Sequence, residues 1–337
     1  MTTKQTNRRV VLAARPKGVP DADHFAVEDV PVQQPGAGEV LIEADWWSVD
    51  PAMRGWVNDV PNYLPPVAIG EVMRAFSVGR VVKSEHPDYV AGDCVTGLFG
   101  WQRYACVKGE AIDRKVMETD LPSSLALGLL GLNGITAYLC LTQVCEPKPG
   151  ETVVVSTAAG AVGSAAGQIA KSLGCRTIGI AGGAEKVRLC LEDYHYDGAI
   201  DYRNDPVLDS LRDMAPDKID CYFDNTCGPI SDAVMQHLAI GARIAICGTA
   251  AITDWDPIPM GPRVHRQLLV ARARIQGFLI FDHKDQEQGA RDRLADMIRG
   301  DQITYREHVL EGADAARGAI GMLYRGENRG KLLVRPD

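Results

Sequence analysis

The segment that most constrains the fold of this 337-residue chain is a run of β-branched residues, Thr152-Val153-Val154-Val155-Ser156-Thr157, that breaks at once into Ala158-Ala159-Gly160-Ala161-Val162-Gly163-Ser164-Ala165-Ala166-Gly167. An unbroken run of that kind suits a strand buried on both faces, as in a parallel sheet. The turn behind it leads into a helical pattern over Val162–Leu173. Strand, glycine turn and helix in this order gather free backbone N–H groups and the positive end of a helix dipole, a receptor for a pyrophosphate. Gly160 and Gly163 let backbone approach the phosphates, and Gly167 lets the helix pack closely on the strand. The spacing is GxxGxxxG rather than the common GxGxxG, so the turn in isolation also reads as a plain tight βα connection.

The context favours the phosphate reading. Five more β-rich segments follow, at Thr177–Ala181, Ala199–Asp201, Ile219–Asp224, Arg243–Cys247 and Arg274–Phe281. Helical patterns separate them at Val162–Leu173, Ala184–Asp193, Val207–Met214, Ser231–Leu238 and Arg263–Ala271. Six strands alternating with five crossovers predict an α/β, doubly wound parallel sheet of the Rossmann type. Helices are expected just ahead of it at Leu125–Gly131 and Gly134–Cys145, the first capped by Ser123 or Ser124. Up to about residue 115 the rhythm differs, with short β-rich segments such as Val40–Trp47, Val78–Lys83, Asp93–Leu98 and Arg103–Lys108 punctuated by Pro and Gly. That pattern predicts a small antiparallel barrel or sandwich. The final Lys331–Val334 segment has no neighbour of its own and is expected to return to this first domain. The expected division is therefore residues 1–132, completed by 303–337, and residues 133–302.

A hydrophobic fraction of 46% and a charged fraction of 24% are ordinary for a globular protein. The net charge of −8 argues against a nucleic-acid or anionic-membrane partner. No apolar run approaches ~20 residues, and the polar start lacks the core of a signal peptide. Nine scattered cysteines without a CxxC pair fit reduced thiols, so a cytoplasmic location is expected.

The second strand should end near the residue that reads the cofactor ribose. An NAD site usually carries Asp or Glu there, whereas this strand ends Ile180-Ala181-Gly182-Gly183. Lys186 follows on the next helix, and Tyr202 and Arg203 follow the third strand. A missing acid beside a cation suits a ribose 2′-phosphate, hence NADPH/NADP+. Glu185, bonding a 2′-hydroxyl, and a merely solvated Lys186 are the competing readings.

With these residues the chain resembles the zinc-independent medium-chain dehydrogenases/reductases, in the branch of prostaglandin, leukotriene, 2-alkenal and curcumin-type reductases. The likeness spans nearly the full length. It rests on Ser48-Val49-Asp50-Pro51 with Met53-Arg54-Gly55, Gly70-Glu71-Val72, Leu132-Asn133-Gly134-Ile135-Thr136-Ala137-Tyr138, Ala158–Gly163, Gly182–Lys186, Asp220–Asn225, Gly241–Gly248, Gln276-Gly277-Phe278 and Asn328-Arg329-Gly330-Lys331. The resemblance implies a GroES-like β-barrel catalytic domain beside the Rossmann-type NADPH domain, and a homodimer. It also implies that Gly160, Ala161, Val162 and Gly163 hold the pyrophosphate and that Lys186 and Tyr202 hold the 2′-phosphate. Asn225, Cys247, Gly248, Phe278, Leu279, Ile280 and Asn328 would line the nicotinamide half.

Two positions depart from the branch. Ala52 stands where a tyrosine is common, and Val270 replaces a second tyrosine ahead of the sixth strand. The nearest remaining phenol, Tyr63, is then the candidate catalytic donor, its alternative role being packing at a domain interface. Zinc-dependent relatives use a Cys in the first-domain loop and a His-Glu pair after a Gly. Here those sites read Trp46-Trp47-Ser48-Val49-Asp50 and Ile69-Gly70-Glu71-Val72, so no catalytic zinc is expected. The expected chemistry is hydride addition from NADPH to the β-carbon of a small α,β-unsaturated ketone or aldehyde. A zinc-independent quinone reductase and a non-catalytic nucleotide-binding protein are the alternatives.

Overall fold

The computed structural model describes residues 5–60, 64–253 and 257–337. Along the chain lie β1 (Thr6–Leu12), β2 (Phe25–Pro31), β3 (Glu39–Val49), β4 (Ser77–Ser84), β5 (Cys94–Gly97), β6 (Tyr104–Lys108) and β7 (Ile112–Lys115). Then come β8 (Thr152–Ser156), β9 (Arg176–Ala181), β10 (Gly198–Asp201), β11 (Ile219–Asp224), β12 (Leu238–Ile246) and β13 (Arg274–Gly277), and finally β14 (Glu307–Glu311) and β15 (Lys331–Arg335). The chain divides into two compact units, Met1–Leu127 with Glu307–Asp337, and Gly128–Arg306.

In the first unit β1 and β2 form an antiparallel pair, and a larger sheet runs β14-β15-β3-β4-β5-β7 with β6 also on β3. Strand β3 is long enough to pair with β6 through Glu39–Glu43 and with β15 through Trp47–Val49, while β4 takes its other edge. The C-terminal segment thus does return to this unit, where it pairs antiparallel with β3 and parallel with β14. Trp47, Trp56, Trp101 and Met53 fill the interior. Two of these rings also satisfy their polar atoms, since Trp47 Nε1 donates to the Gln102 carbonyl at 3.0 Å and Trp101 Nε1 to the Ser48 carbonyl at 3.0 Å.

In the second unit the sheet order is β10-β9-β8-β11-β12-β13, every pair parallel. This is the doubly wound order 3-2-1-4-5-6, whose chain reverses direction across the sheet between β8 and β11. The valines of β8 are fully buried, as a strand covered by helices on both faces requires. The fold class is α/β, a doubly wound sheet accompanied by a largely antiparallel β unit.

Three local expectations change. Leu125–Gly131 is not an α-helix: a short 3-10 turn covers Ser123–Leu127, and the α-helix starts at Leu132. Gly128 and Gly131 break the pattern, and the helix then packs so tightly that a Cβ on Gly134 would stand 1.9 Å from the Leu129 carbonyl oxygen. Strand β12 starts at Leu238, where a helix end was expected, because β11 recruits it there (Ile219 opposite Leu238, then Cys221 opposite Arg243). The intervening residues bulge at Gly241, whose φ is +79°. Strand β13 stops at Gly277, opposite the last residue of β12, so Phe278–Phe281 leave the sheet. The nearest neighbour of Gly167 is Tyr196, whose ring would lie 2.0 Å from an added Cβ and whose hydroxyl donates to the Gly163 carbonyl at 2.7 Å.

All nine cysteines are free thiols. Among the described residues, no helix is long and apolar enough to cross a membrane.

Candidate active site

Ligands of doubly wound sheets bind at the carboxyl ends of the strands, at the point where strand order reverses. Here that point is the β8–β11 pair. From Ser156 the chain passes through Thr157, held at φ +54°, to Gly160, which caps the helix Ala161–Ser172 in extended conformation. The first-turn N–H groups of Ala161, Val162 and Gly163 have no carbonyl partner within the helix and point out of its start. Gly163 is obligatory for a steric reason: a Cβ there would sit 2.3 Å from the Thr157 carbonyl oxygen. The loop is folded so tightly on itself that only hydrogen fits.

Across the reversal point, Asn225 is stitched to β8. Its N–H donates to Ser156 Oγ at 2.8 Å and its Nδ2 to the Ser156 carbonyl at 2.7 Å. The fully buried Asp224 organises the same turn by accepting the Thr226 N–H at 2.9 Å, the Cys227 N–H at 2.9 Å and the Ser231 hydroxyl at 2.6 Å. So many donors on one carboxylate satisfy it in a dry site. Cys247 and Gly248 then close over this turn, both N–H groups donating to the Asp224 carbonyl, at 2.8 and 3.1 Å. A Cβ on Gly248 would come to 3.0 Å from the Asn225 carbonyl oxygen. Beyond β13, the Phe278 N–H donates to the Ile246 carbonyl at 3.0 Å, and its ring stacks on His283 with centroids 4.7 Å apart. Leu279 is half-buried and Ile280 buried.

On the other side of β8, the loops after β9 and β10 carry Lys186 and Tyr202. The Tyr202 ring lies against Gly182, where an added Cβ would meet it at 2.8 Å. Burial, and then the positive charge of Arg203, hold the Lys186 amine below its usual range. The end of β9 presents no carboxylate to this spot, since it reads Ala181-Gly182-Gly183.

The structure therefore brings Gly160–Gly163, Lys186, Tyr202, Asn225, Cys247, Gly248 and Phe278–Ile280 to one edge of one sheet. Asn328 belongs to the first unit, where it is buried and its Nδ2 donates to the Gly330 carbonyl at 2.8 Å. Tyr63 lies outside the described residues. Ala52 packs against the apolar core of the first unit, and Val270 is 62% exposed on the helix His265–Ala271. Among the described residues, no group of three or more His, Cys, Asp or Glu is placed to hold a metal ion.

Sequence reading missed Ser156 and Asp224 as organisers of the reversal point. An acid ending a buried strand was the available signal, but nothing local says how many backbone donors will converge on it.

The chain matches two family models, the N-terminal domain of oxidoreductase over residues 8–114 and zinc-binding dehydrogenase over residues 161–296. It is 40% identical to the NADPH-dependent curcumin reductase of Escherichia coli (strain K12), across 98% of this chain and 97% of that protein. It is 33% identical to the NADP(+)-dependent 2-alkenal reductase of Nicotiana tabacum, across 99% and 98% of the two chains. Among solved structures it superposes on CurA from Vibrio vulnificus in complex with NADPH with a TM-score of 0.92 at 38% identity, over 98% of this chain and 99% of that one. With its doubly wound sheet, the glycine turn behind its first strand and relatives similar from end to end, the chain belongs to the medium-chain dehydrogenase/reductase family, in the zinc-independent branch of curcumin, 2-alkenal and prostaglandin reductases.

Proposed function

We propose that this protein uses NADPH to reduce the C=C bond of α,β-unsaturated ketones and aldehydes, and that it does so without a metal. The observation that carries this reading is the edge of the second sheet. It combines a glycine turn too tight for a Cβ with a cationic corner at Lys186 and Tyr202, where β9 itself ends without a carboxylate. The full-length similarity to reductases named for NADPH, curcumin and 2-alkenals points the same way.

NADPH bound at this edge supplies the hydride that adds to the substrate β-carbon. The chain's own residues bind and orient. The N–H groups of Ala161, Val162 and Gly163 hold the pyrophosphate, and Lys186 and Tyr202 hold the 2′-phosphate. Asn225, Cys247, Gly248, Phe278, Leu279 and Ile280 set the nicotinamide end. Charge developing on the substrate carbonyl oxygen needs a preorganised donor, and Tyr63 is the side chain assigned to that task.

The test is NADPH consumption with a panel of enones and enals, with product identification, beside a quinone. Saturated ketones or aldehydes should form, and turnover should survive exhaustive chelation. Consumption with quinones alone would overturn the substrate class. Loss of turnover on chelation, restored by zinc, would overturn the metal-free reading.

Cofactor choice gives a separate prediction. A charge-assisted bond to phosphate is worth roughly 1.5–3 kcal/mol, so Lys186→Ala should weaken NADPH about 10–100-fold and leave NADH nearly unchanged. Fluorescence titration with each cofactor checks this, and equal losses would show that Lys186 does not read the 2′-phosphate.

We also propose that the protein is a homodimer joined through the second sheet. Strand β13 is an edge strand exposed along its whole length, and beside it Leu269 is 76% and Val270 62% exposed. An open edge flanked by apolar side chains invites a second strand. Light scattering after size exclusion should give twice the chain mass, and Leu269→Asp with Val270→Asp should give a folded monomer. A wild-type protein that is monomeric at micromolar concentration would contradict this.

A further inference from the structure

We propose that Cys140 and Cys247 form a redox-sensitive thiol pair, which hydroperoxides join as a disulfide that distorts the turn carrying Cys247. The pairing itself stands apart from the NADPH reading. Its effect on cofactor binding rests on that reading, which sets Cys247 at the nicotinamide end.

Cys140 ends the helix Leu132–Cys140 and is fully buried, whereas Cys247 directly follows β12 and is half-buried. Their thiols are hydrogen-bonded to each other. The backbone sets this approach. Just beyond Cys140, Arg243 of β12 donates from Nε to the Cys145 carbonyl at 2.8 Å, and Arg274 of β13 from Nη2 to the Val144 carbonyl at 3.1 Å. The helix end is thereby tied to the two strands that flank the Cys247 turn. The bond to Cys247, and then burial, push the Cys140 thiol up, so it keeps its proton at neutral pH. Cys247 is the member that a small oxidant in solution reaches. A second thiol pair lies deeper. Cys221 Sγ stands 3.3 Å from the Cys145 carbonyl and also meets the Cys145 thiol, but both residues are fully buried. Cys227, half-buried near the same turn, directs its thiol to the Gly248 carbonyl at 3.7 Å. Of these thiols, Cys140 and Cys247 together combine a sulfur–sulfur contact with access from outside, the two requirements for a reversible disulfide.

The oxidation balances with one hydroperoxide. The Cys247 thiolate attacks the peroxide: an S–O bond forms, the O–O bond breaks, and water or an alcohol leaves, so that Cys247 becomes a sulfenic acid. The Cys140 sulfur then displaces the sulfenic oxygen. The S–S bond forms, the S–O bond breaks, and the Cys140 proton leaves with that oxygen as water. A disulfide is much shorter than a hydrogen bond between thiols, so Cys247 is drawn toward the helix. Its turn has little slack. The Cys247 and Gly248 N–H groups both donate to the Asp224 carbonyl, at 2.8 and 3.1 Å, and a Cβ on Gly248 would stand 3.0 Å from the Asn225 carbonyl oxygen. Moving Cys247 therefore disturbs Gly248 and Asn225, which share its assignment to the nicotinamide end.

The experiment treats the full chain with stoichiometric hydrogen peroxide, alkylates the remaining thiols under denaturing conditions and maps the peptides by mass spectrometry. A Cys140–Cys247 cross-link should form and disappear on treatment with dithiothreitol, while Cys145 and Cys221 stay reduced and are alkylated. In Cys140→Ala the cross-link should be absent, and dimedone should instead label the sulfenic acid at Cys247. Fluorescence titration should show the oxidised wild-type protein binding NADPH about 10-fold more weakly, with affinity restored by dithiothreitol. Absence of the cross-link in the wild-type protein, or a Cys227–Cys247 link in its place, overturns the pairing. A cross-linked protein that binds NADPH like the reduced one overturns the effect on the turn. If the reduced wild-type protein binds no NADPH, the cofactor reading falls, and the peptide map still decides the pairing.

Discussion

Replacing Lys331 with methionine is expected to destabilise the first unit by about 3–5 kcal/mol, because it removes the counter-charge of a buried carboxylate. Lys331 is 4% exposed and Asp50 5%. The lysine Nζ donates to Asp50 Oδ1 at 2.6 Å, to Ser48 Oγ at 2.6 Å and to the Val49 carbonyl at 3.1 Å, and the Ser48 hydroxyl donates in turn to Asp50. Burial pulls the lysine below its usual range against the opposing pull of Asp50, so desolvation is large and is offset only while every partner is present. In methionine the stem packs as before, but the ammonium is gone and Asp50 loses its counter-charge. At roughly 2–4 °C per kcal/mol for a domain of this size, the first calorimetric transition should fall by on the order of 6–20 °C. Replacing both partners, Lys331→Met with Asp50→Leu, should recover most of that loss, since an apolar pair carries no unpaid charge. A single variant that melts like wild type would show that the pair contributes nothing net.

Gly163→Val should weaken NADPH binding by ~100-fold or more while the chain still folds. The Cβ would stand 2.3 Å from the Thr157 carbonyl oxygen, 2.8 Å from its carbonyl carbon and 2.9 Å from Ala158 Cα. All three are backbone atoms, so no side-chain rotation relieves the contact. The loop has to open, and the N–H groups of Ala161–Gly163 lose their common aim. Overpacking of this kind typically costs ~1–3 kcal/mol in stability, which a two-unit chain tolerates. Spreading the donors costs more in binding, because several hydrogen bonds to one pyrophosphate are lost together, and a fall of ~100-fold or greater in affinity is expected. Gly160→Ala makes a useful contrast, since its Cβ would approach only to 3.1 Å from Thr157 atoms and should cost far less. Retained NADPH affinity in Gly163→Val, read by fluorescence titration beside a circular dichroism spectrum, would refute the phosphate-loop assignment.

The features legible in the sequence are those that a short window of residues controls. The β8 valines, the glycines behind them and the helix that follows announce their structure because burial on two faces, a tight turn and helix periodicity each act over a few residues. The alternation that follows was enough to predict the doubly wound sheet. The missing acid at Ala181-Gly182-Gly183 and the presence of Lys186 could likewise be read directly, and they bear on cofactor choice before any coordinate is known.

Tertiary pairing decided the rest. Leu238–Ala242 has no pattern of its own that distinguishes helix end from strand, and it became β12 because β11 offered an open edge with room for a bulge at Gly241. The apolar Phe278–Phe281 looked like more strand, yet the ladder ended when β12 ran out of partners at Ile246. Gly167 announced close packing, but only the fold supplied Tyr196 as its neighbour. The carboxylates show the same division most sharply. Asp201 and Asp224 are plain acids at strand ends in the sequence, and each becomes an organiser only when loops from separate strands aim their N–H groups at it. Sequence by itself determined the local conformations and the residue chemistry available. Which groups met, and hence which charges were neutralised, followed from long-range pairing, because hydrogen bonds and burial between distant segments have no counterpart in local pattern.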